Sequence, residues 1–224
     1  MAKPNIILYG APGSGKGTEL AYLLKDNYTK ISVGDMLRNE VRSGSDLGKK
    51  LKAIMDKGDL IDDKFVMKLI KKEIKTLDKK EGLVFDGFPR TLKQAKYLDK
   101  LFSELDMKID YFIEIFTAEK IIINRIMNRI ECRKCGASYN KVSNKPKKDN
   151  TCDACGSDEL HSRDDDNLDT LKNRLEKYYE NSKKIIKHYK KHKKYHKIKT
   201  KPNKKEVINP DKTHQEVMNV LSRD

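Results

Sequence analysis

Nowhere in the 224 residues is there an apolar run near the roughly twenty positions that a membrane span needs. Nor does an apolar leader open the chain; Met1-Ala2-Lys3-Pro4 passes directly into a short strand pattern. The expectation is a cytoplasmic protein with no membrane association. Cysteine is scarce, four in all and confined to positions 132–155, so no disulfide framework braces the rest of the chain. No internal repeat is present, which excludes a solenoid. Acidic residues are outnumbered, 34 against 49 Lys and Arg, leaving a net charge of +15. Such a balance suits a polyanionic substrate or nucleic acid.

The densest lysine runs fall between Lys183 and Lys205, mixed with His188, Tyr189, His192, Tyr195 and His196. Ile185, Ile186 and Tyr189 recur there at helical spacing, so the segment reads as a surface helix with a basic face. No nucleic-acid partner is expected from it. With 37% hydrophobic and 37% charged residues, the chain suits one buried core carrying inserted lobes under an ionised surface.

What is present is most informative near the start. Ile6-Ile7-Leu8-Tyr9 reads as a strand, and Glu19 to Leu24 as a helix. Between them stands Gly10-Ala11-Pro12-Gly13-Ser14-Gly15-Lys16-Gly17-Thr18, the pattern of a phosphate-binding P-loop. Glycines let the backbone wrap a phosphate, and amides at a helix start point partial positive charge at it. Lys16 adds a cation for β and γ phosphates. Many P-loops place Ser or Thr directly after the lysine to bind Mg²⁺; here Gly17 intervenes and the hydroxyl follows at Thr18. Magnesium would then be held mainly by nucleotide phosphates and water, which favours a small nucleotide kinase over a GTPase or motor ATPase.

Further strands are expected at Tyr28 to Ser32, Leu83 to Asp86, Tyr111 to Phe116 and Tyr195 to Lys199. Helical patterns cover Met36 to Val41, Asp46 to Lys57, Lys64 to Leu77, Leu92 to Leu105, Ala118 to Ile130 and Leu168 to Tyr189. Alternation of this kind implies an α/β fold, a parallel sheet covered on both faces, with ligands beyond the carboxyl ends of its strands. Two segments break the rhythm and read as insertions: about 32–61, helical throughout, and about 129–165, rich in Cys, Lys, Asn, Asp and Gly.

The cysteines form two knuckles, Cys132-Arg133-Lys134-Cys135 and Cys152-Asp153-Ala154-Cys155, followed by Gly136 and Gly156. Each CxxC turn presents two thiolates to one ion, so the set matches a tetrahedral zinc site. Four cysteines close the coordination shell, which makes the zinc structural.

Asp86-Gly87-Phe88-Pro89-Arg90 follows the second apolar strand. Asp86 can orient water around Mg²⁺, Arg90 can grip a phosphate with its planar fork, and Gln94 offers an amide to a base edge. Arg38, Arg90, Arg125, Arg129, Arg163 and Arg174 stand at lobe edges or junctions, where fixed guanidinium groups stabilise a transferring phosphoryl group. Asp164-Asp165-Asp166, beside Arg163, can lock Arg129 and Arg163 through bidentate pairs.

With Gly34-Asp35-Met36-Leu37-Arg38 and Arg163-Asp164-Asp165-Asp166, these motifs resemble the adenylate kinases, in the bacterial long form with a zinc-bearing lid, over almost the whole chain. The resemblance implies a three-layer P-loop core (1–31, 62–127 and 166–224), an inserted helical monophosphate-binding lobe (32–61) and an inserted zinc-ribbon-like lid (128–165). It implies reversible phosphoryl transfer from Mg·ATP to AMP giving two ADP, by a monomer. Gly13, Ser14, Gly15, Lys16, Gly17, Thr18, Arg125, Arg129, Ser138, Tyr139 and the backbone near Lys212 would meet ATP. Val33, Arg38, the backbone of Asp59, Leu60 and Ile61, then Gly87, Phe88, Pro89, Arg90, Gln94, Arg163 and Arg174 would meet AMP. Lys16, Arg90, Arg129, Arg163 and Arg174 would carry the catalysis, with Asp86 in the outer shell of Mg²⁺ and Zn²⁺ on Cys132, Cys135, Cys152 and Cys155. Val33 replaces the family's usual Thr, Glu19 its Gln, Pro210 a Gly beside the adenine loop, and Ser143 an aromatic. Two alternatives stand beside this reading: another monophosphate kinase such as a UMP/CMP kinase, and a zinc-ribbon nucleic-acid-binding P-loop protein.

Overall fold

The computed structural model describes residues 3–77, 81–203 and 208–222; Lys204 and Lys205 of the basic run lie outside them. Strands β1 (Ile6–Tyr9), β2 (Thr29–Ser32), β3 (Leu83–Asp86), β4 (Tyr111–Phe116) and β8 (Tyr195–Lys199) form one sheet in the order β2-β3-β1-β4-β8. Every neighbouring pair is parallel. A parallel sheet is covered on both faces, and β1 shows it: all four of its residues are buried. Ile7 and Tyr9 point into a core shared with α4 (Asp63–Thr76), α5 (Leu92–Glu104) and α7 (Leu168–Lys191). Ile6 and Leu8 point the opposite way, onto α1 (Lys16–Lys25) and α8 (Pro210–Leu221).

Helices α2 (Val33–Arg42) and α3 (Asp46–Lys57) pack on each other beyond the carboxyl edge of the sheet. The segment is not helical throughout. Ser43 to Ser45 break it, and Ser45 caps α3 by accepting from the Gly48 amide at 2.9 Å. Helix α2 starts at Val33 instead of Met36, because Ser32 accepts from the Asp35 amide and caps it.

The helix expected over Ala118 to Ile130 is shorter than its apolar pattern. It runs as α6 (Glu119–Met127), and the chain then turns into β5 (Arg129–Cys132). Backbone pairing explains the difference: Arg129 to Glu131 run antiparallel to β6 (Ser138–Asn140), and Glu131 and Cys132 pair with β7 (Leu160–His161). The three strands make a small second sheet around the cysteines. Helix α8 was not read from the sequence, although its start is marked: Asn209 caps it, accepting from the Asp211 and Lys212 amides, and Pro210 occupies its first turn. No helix among the described residues is long and apolar enough to cross a membrane.

Candidate active site

The loop between β1 and α1 is built for an anion. Gly10, Gly13 and Gly15 all have positive φ, at 149, 75 and 110°. A Cβ at Gly10 would lie 2.5 Å from the Ile115 carbonyl oxygen, so no other residue fits there without moving β4. Helix α1 opens on Gly15 with no side-chain cap, which leaves its first amides directed at the loop interior. The Ser14 hydroxyl is buried and without a partner among the described residues. A phosphate, or water held by one, would satisfy both the amides and this hydroxyl.

Lys16 reaches back across the loop and donates to the carbonyl oxygens of Gly10 and Ala11, each at 2.8 Å. Burial lowers its pKa from the ordinary 10.5 to about 8, with Arg90 and Arg129 adding repulsion and Asp86 opposing them. An ammonium held at this cost, with only carbonyls as partners, is poised for a negative ligand.

The loop forms one wall of a cleft of about 770 Å³. Facing it are Gly34 and Arg38 of α2, Gly58 and Leu60 after α3, and Asp86 at the end of β3 with Gly87 to Arg90 after it. Arg125, Arg129, Ser138, Tyr139, Arg163 and Arg174 complete the lining. The sheet and the two insertions thus bring most of the expected residues to one cavity, within the size range of ligand pockets.

Four guanidinium groups of the cleft are each held by a carboxylate. Arg129 makes a two-pronged contact with Asp166, its Nε 2.7 Å from Oδ2. Arg174 pairs with Asp165, and Arg38 with Asp35. Asp164 pairs with no arginine among the described residues; it bonds Lys52 at 3.0 Å, which joins α3 to the segment after β7. Arg163 pairs with Glu131, a buried carboxylate that the sequence reading passed over. Burial works against the charge of Arg163, but Glu131, Asp166 and Asp165 together outweigh it and raise the pKa. For Asp35, burial is outweighed by Arg38 and Lys30, which hold its carboxyl down at about 2. Arg90 differs: its Nε donates to the Gly87 carbonyl oxygen at 2.9 Å, and no carboxylate pairs with it among the described residues. Crowding by protein, then Arg174, lowers its pKa, so Arg90, like Lys16 and Arg125, is a cation of the cleft without a carboxylate partner among the described residues.

Several expected residues lie behind the walls. Val33 is buried at the start of α2, and Ile61 belongs to the core. Asp59 accepts from the Asn173 amide at 2.9 Å. Gln94 is 2% exposed, and its amide is engaged: Oε1 accepts from the Arg90 N–H and Nε2 donates to Asp63, both at 2.7 Å. One Nε2 hydrogen remains for a ligand. Lys212 stands in the first turn of α8, outside the cleft lining. Asp63 was missed in the sequence because it looks like a routine acid in a helix's first turn; it positions both Gln94 and Thr91.

The four cysteines are free thiols whose sulfur atoms all lie within 4.8 Å of one another. Cys132 and Cys155 are 3.6 Å apart and Cys135 and Cys152 3.5 Å apart, so each contact joins one knuckle to the other. Thiol sulfurs converging from two turns are the donor set of a zinc ion. Tyr139 ties this centre to the cleft: its hydroxyl bonds the Asp153 amide at 2.7 Å and sits 3.4 Å from the Cys152 sulfur.

A phosphate cradle at a strand-to-helix turn, on the carboxyl edge of a parallel sheet and opposite fixed arginines, defines the class: a P-loop phosphotransferase. The adenylate kinase family model matches residues 8–194. Adenylate kinases of Methanosarcina mazei and Archaeoglobus fulgidus are each 44% identical to this chain, covering 83% of it and 86% of their own length. That of Enterococcus faecalis is 42% identical over 87% of this chain and 90% of its own. The chain belongs to the adenylate kinase family, and its activity is nucleotide phosphoryl transfer.

Proposed function

We propose that the protein transfers the γ-phosphoryl group of Mg·ATP to AMP, reversibly, giving two ADP, as a monomer of the cytoplasm. The observation that supports this reading is the placement of Lys16 and Arg90, both without a carboxylate partner among the described residues, in one cleft with arginines that carboxylates hold in place. One cation would serve each nucleotide. Gly13 to Thr18, with Arg125, Arg129, Ser138 and Tyr139, would hold the donor's phosphates, and the α8 start near Lys212 its adenine. Arg38, Arg90, Arg163 and Arg174 would hold the acceptor phosphate, with Gln94, Val33 and the 59–61 backbone at its base.

No covalent intermediate is required. The acceptor phosphate attacks in line while the guanidinium groups neutralise charge on the equatorial oxygens. Nucleotide phosphates and water, with Asp86 in the outer shell and the Thr18 hydroxyl nearby, would hold Mg²⁺, which would supply charge neutralisation for the transferring group. Zinc on Cys132, Cys135, Cys152 and Cys155 would hold together residues 128–165 as a lid, and 32–61 would close as the monophosphate lobe, excluding water from the core of 1–31, 62–127 and 166–224.

Label transfer tests the reaction. With ATP labelled at the γ position and AMP present, label should appear in ADP alone, with none on the protein. Label released as inorganic phosphate at a comparable rate with or without AMP would reduce the protein to a nucleotide hydrolase.

A further inference from the structure

The basic carboxyl end of α7 carries a group that phosphoryl transfer does not use. Asp99, on α5, accepts from or is bonded by His188 of α7, with Oδ2 and Nε2 2.6 Å apart. One helical turn further on, His192 caps the end of α7, and its ring lies 4.9 Å from that of His188. Histidines at this spacing share a face of the helix, and that face meets Asp99. One ligand atom from each of the three residues falls within 4.8 Å of the others. A second observation points the same way: Asp99 Oδ1 is buried and has no partner among the described residues. The Tyr189 hydroxyl beside it, within reach of the Asp99 charge, is buried without a partner too.

We propose that Asp99, His188 and His192 form a second metal site, for a divalent transition ion of the Zn²⁺ or Co²⁺ type, clasping α5 to α7. Two imidazoles and a carboxylate are the donor set of such ions, not of Mg²⁺ or Ca²⁺. Tetrahedral ligands at about 2.0 Å from zinc stand about 3.3 Å apart. The exposed ring of His192 has the freedom to close that gap, while His188 and Asp99 are already in contact. The flanking Lys187, Lys190 and Lys191 are exposed and repel cations generally, so ligand chemistry would select the ion, not charge. Along α7 the site lies about 21 Å from Arg174, at 1.5 Å per residue, so it is separate from the cleft. Its effect would be on the packing of α5 against α7, where Leu98, Leu101, Ile185 and Tyr189 share one core.

Zinc titration of the full chain, followed by calorimetry, tests this. The cysteine centre is first filled with one equivalent. Wild type should then take a second equivalent and melt at higher temperature in its presence. His192→Ala removes an exposed ligand with no burial to lose, and should weaken that second event by at least about tenfold while leaving the first intact. Asp99→Asn should weaken it as well. With Co²⁺, the second equivalent should add no thiolate charge-transfer absorption. A wild type that stops at one equivalent, or a His192→Ala protein whose second event is unchanged, overturns the proposal and leaves Asp99–His188 as a simple helix-to-helix hydrogen bond.

Discussion

Replacing Lys16 by Met separates what the loop costs the fold from what it gives the reaction. The ammonium is held at a pKa of about 8 instead of 10.5, a charging penalty of roughly 3.4 kcal/mol at neutral pH. That penalty is already net of its hydrogen bonds to the Gly10 and Ala11 carbonyls, and methionine does not carry it. Lys16→Met should therefore melt no lower than the parent and up to about 14 °C higher, using about 2–4 °C per kcal/mol for a chain of this size. Turnover should fall by about 10²–10³, the usual loss when one fixed electrostatic contact to a transition state is removed. Differential scanning fluorimetry without nucleotide gives the first quantity, and a coupled ADP assay the second. A variant with turnover within tenfold of the parent would show that the cradle is not the catalytic loop. A fall in melting temperature beyond a few degrees would refute the charging penalty.

The same shift sets a pH limit. The protonated lysine is the form that binds phosphate, so kcat/KM should be full below about pH 7 and fall as pH rises through about 8, well short of an ordinary lysine's 10.5. Because the unfolded chain keeps that proton up to 10.5, this group should also make the nucleotide-free protein more stable between pH 8 and 10.5, as urea melts across that range would show. Chelating zinc should open residues 129–161 to proteolysis and lower the melting temperature, with the central sheet still folded by circular dichroism; an unchanged digestion pattern would remove the metal from the account. Gly58 ends α3 at φ 78°, and a Cβ there would come within 2.7 Å of the Thr170 carbonyl oxygen and 3.0 Å of Arg174 Cγ. Gly58→Ala should cost about 2 kcal/mol in urea melts and raise KM for the acceptor more than for ATP.

The central sheet was legible because its signals are local. Ile6 to Tyr9 and Tyr111 to Phe116 are apolar runs bounded by turn residues, and both became buried strands at the expected positions. The cysteine knuckles converge as their spacing requires, since each is a self-contained turn. Pairing between distant segments was not legible. Ile130 continues the apolar period of α6, yet antiparallel bonds to Ser138–Asn140 draw it into a strand. Glu131 and Asp63 carry no motif, and their roles arise only when Arg163 and Gln94 fold onto them. Which carboxylate holds which arginine was equally hidden: the Asp164 to Asp166 run sends one member to Lys52 and only two to guanidinium groups.

The choice of acceptor tests the central claim most directly. Diphosphate formation should be measured from Mg·ATP with AMP, CMP, UMP and GMP in turn, at equal concentrations. In the proposed reading Gln94 would meet the acceptor base through an amide already oriented by Arg90 and Asp63, which would suit a purine edge that accepts one hydrogen bond. The account predicts AMP as the preferred acceptor by kcat/KM, in spite of Val33. A higher kcat/KM for CMP or UMP would contradict it.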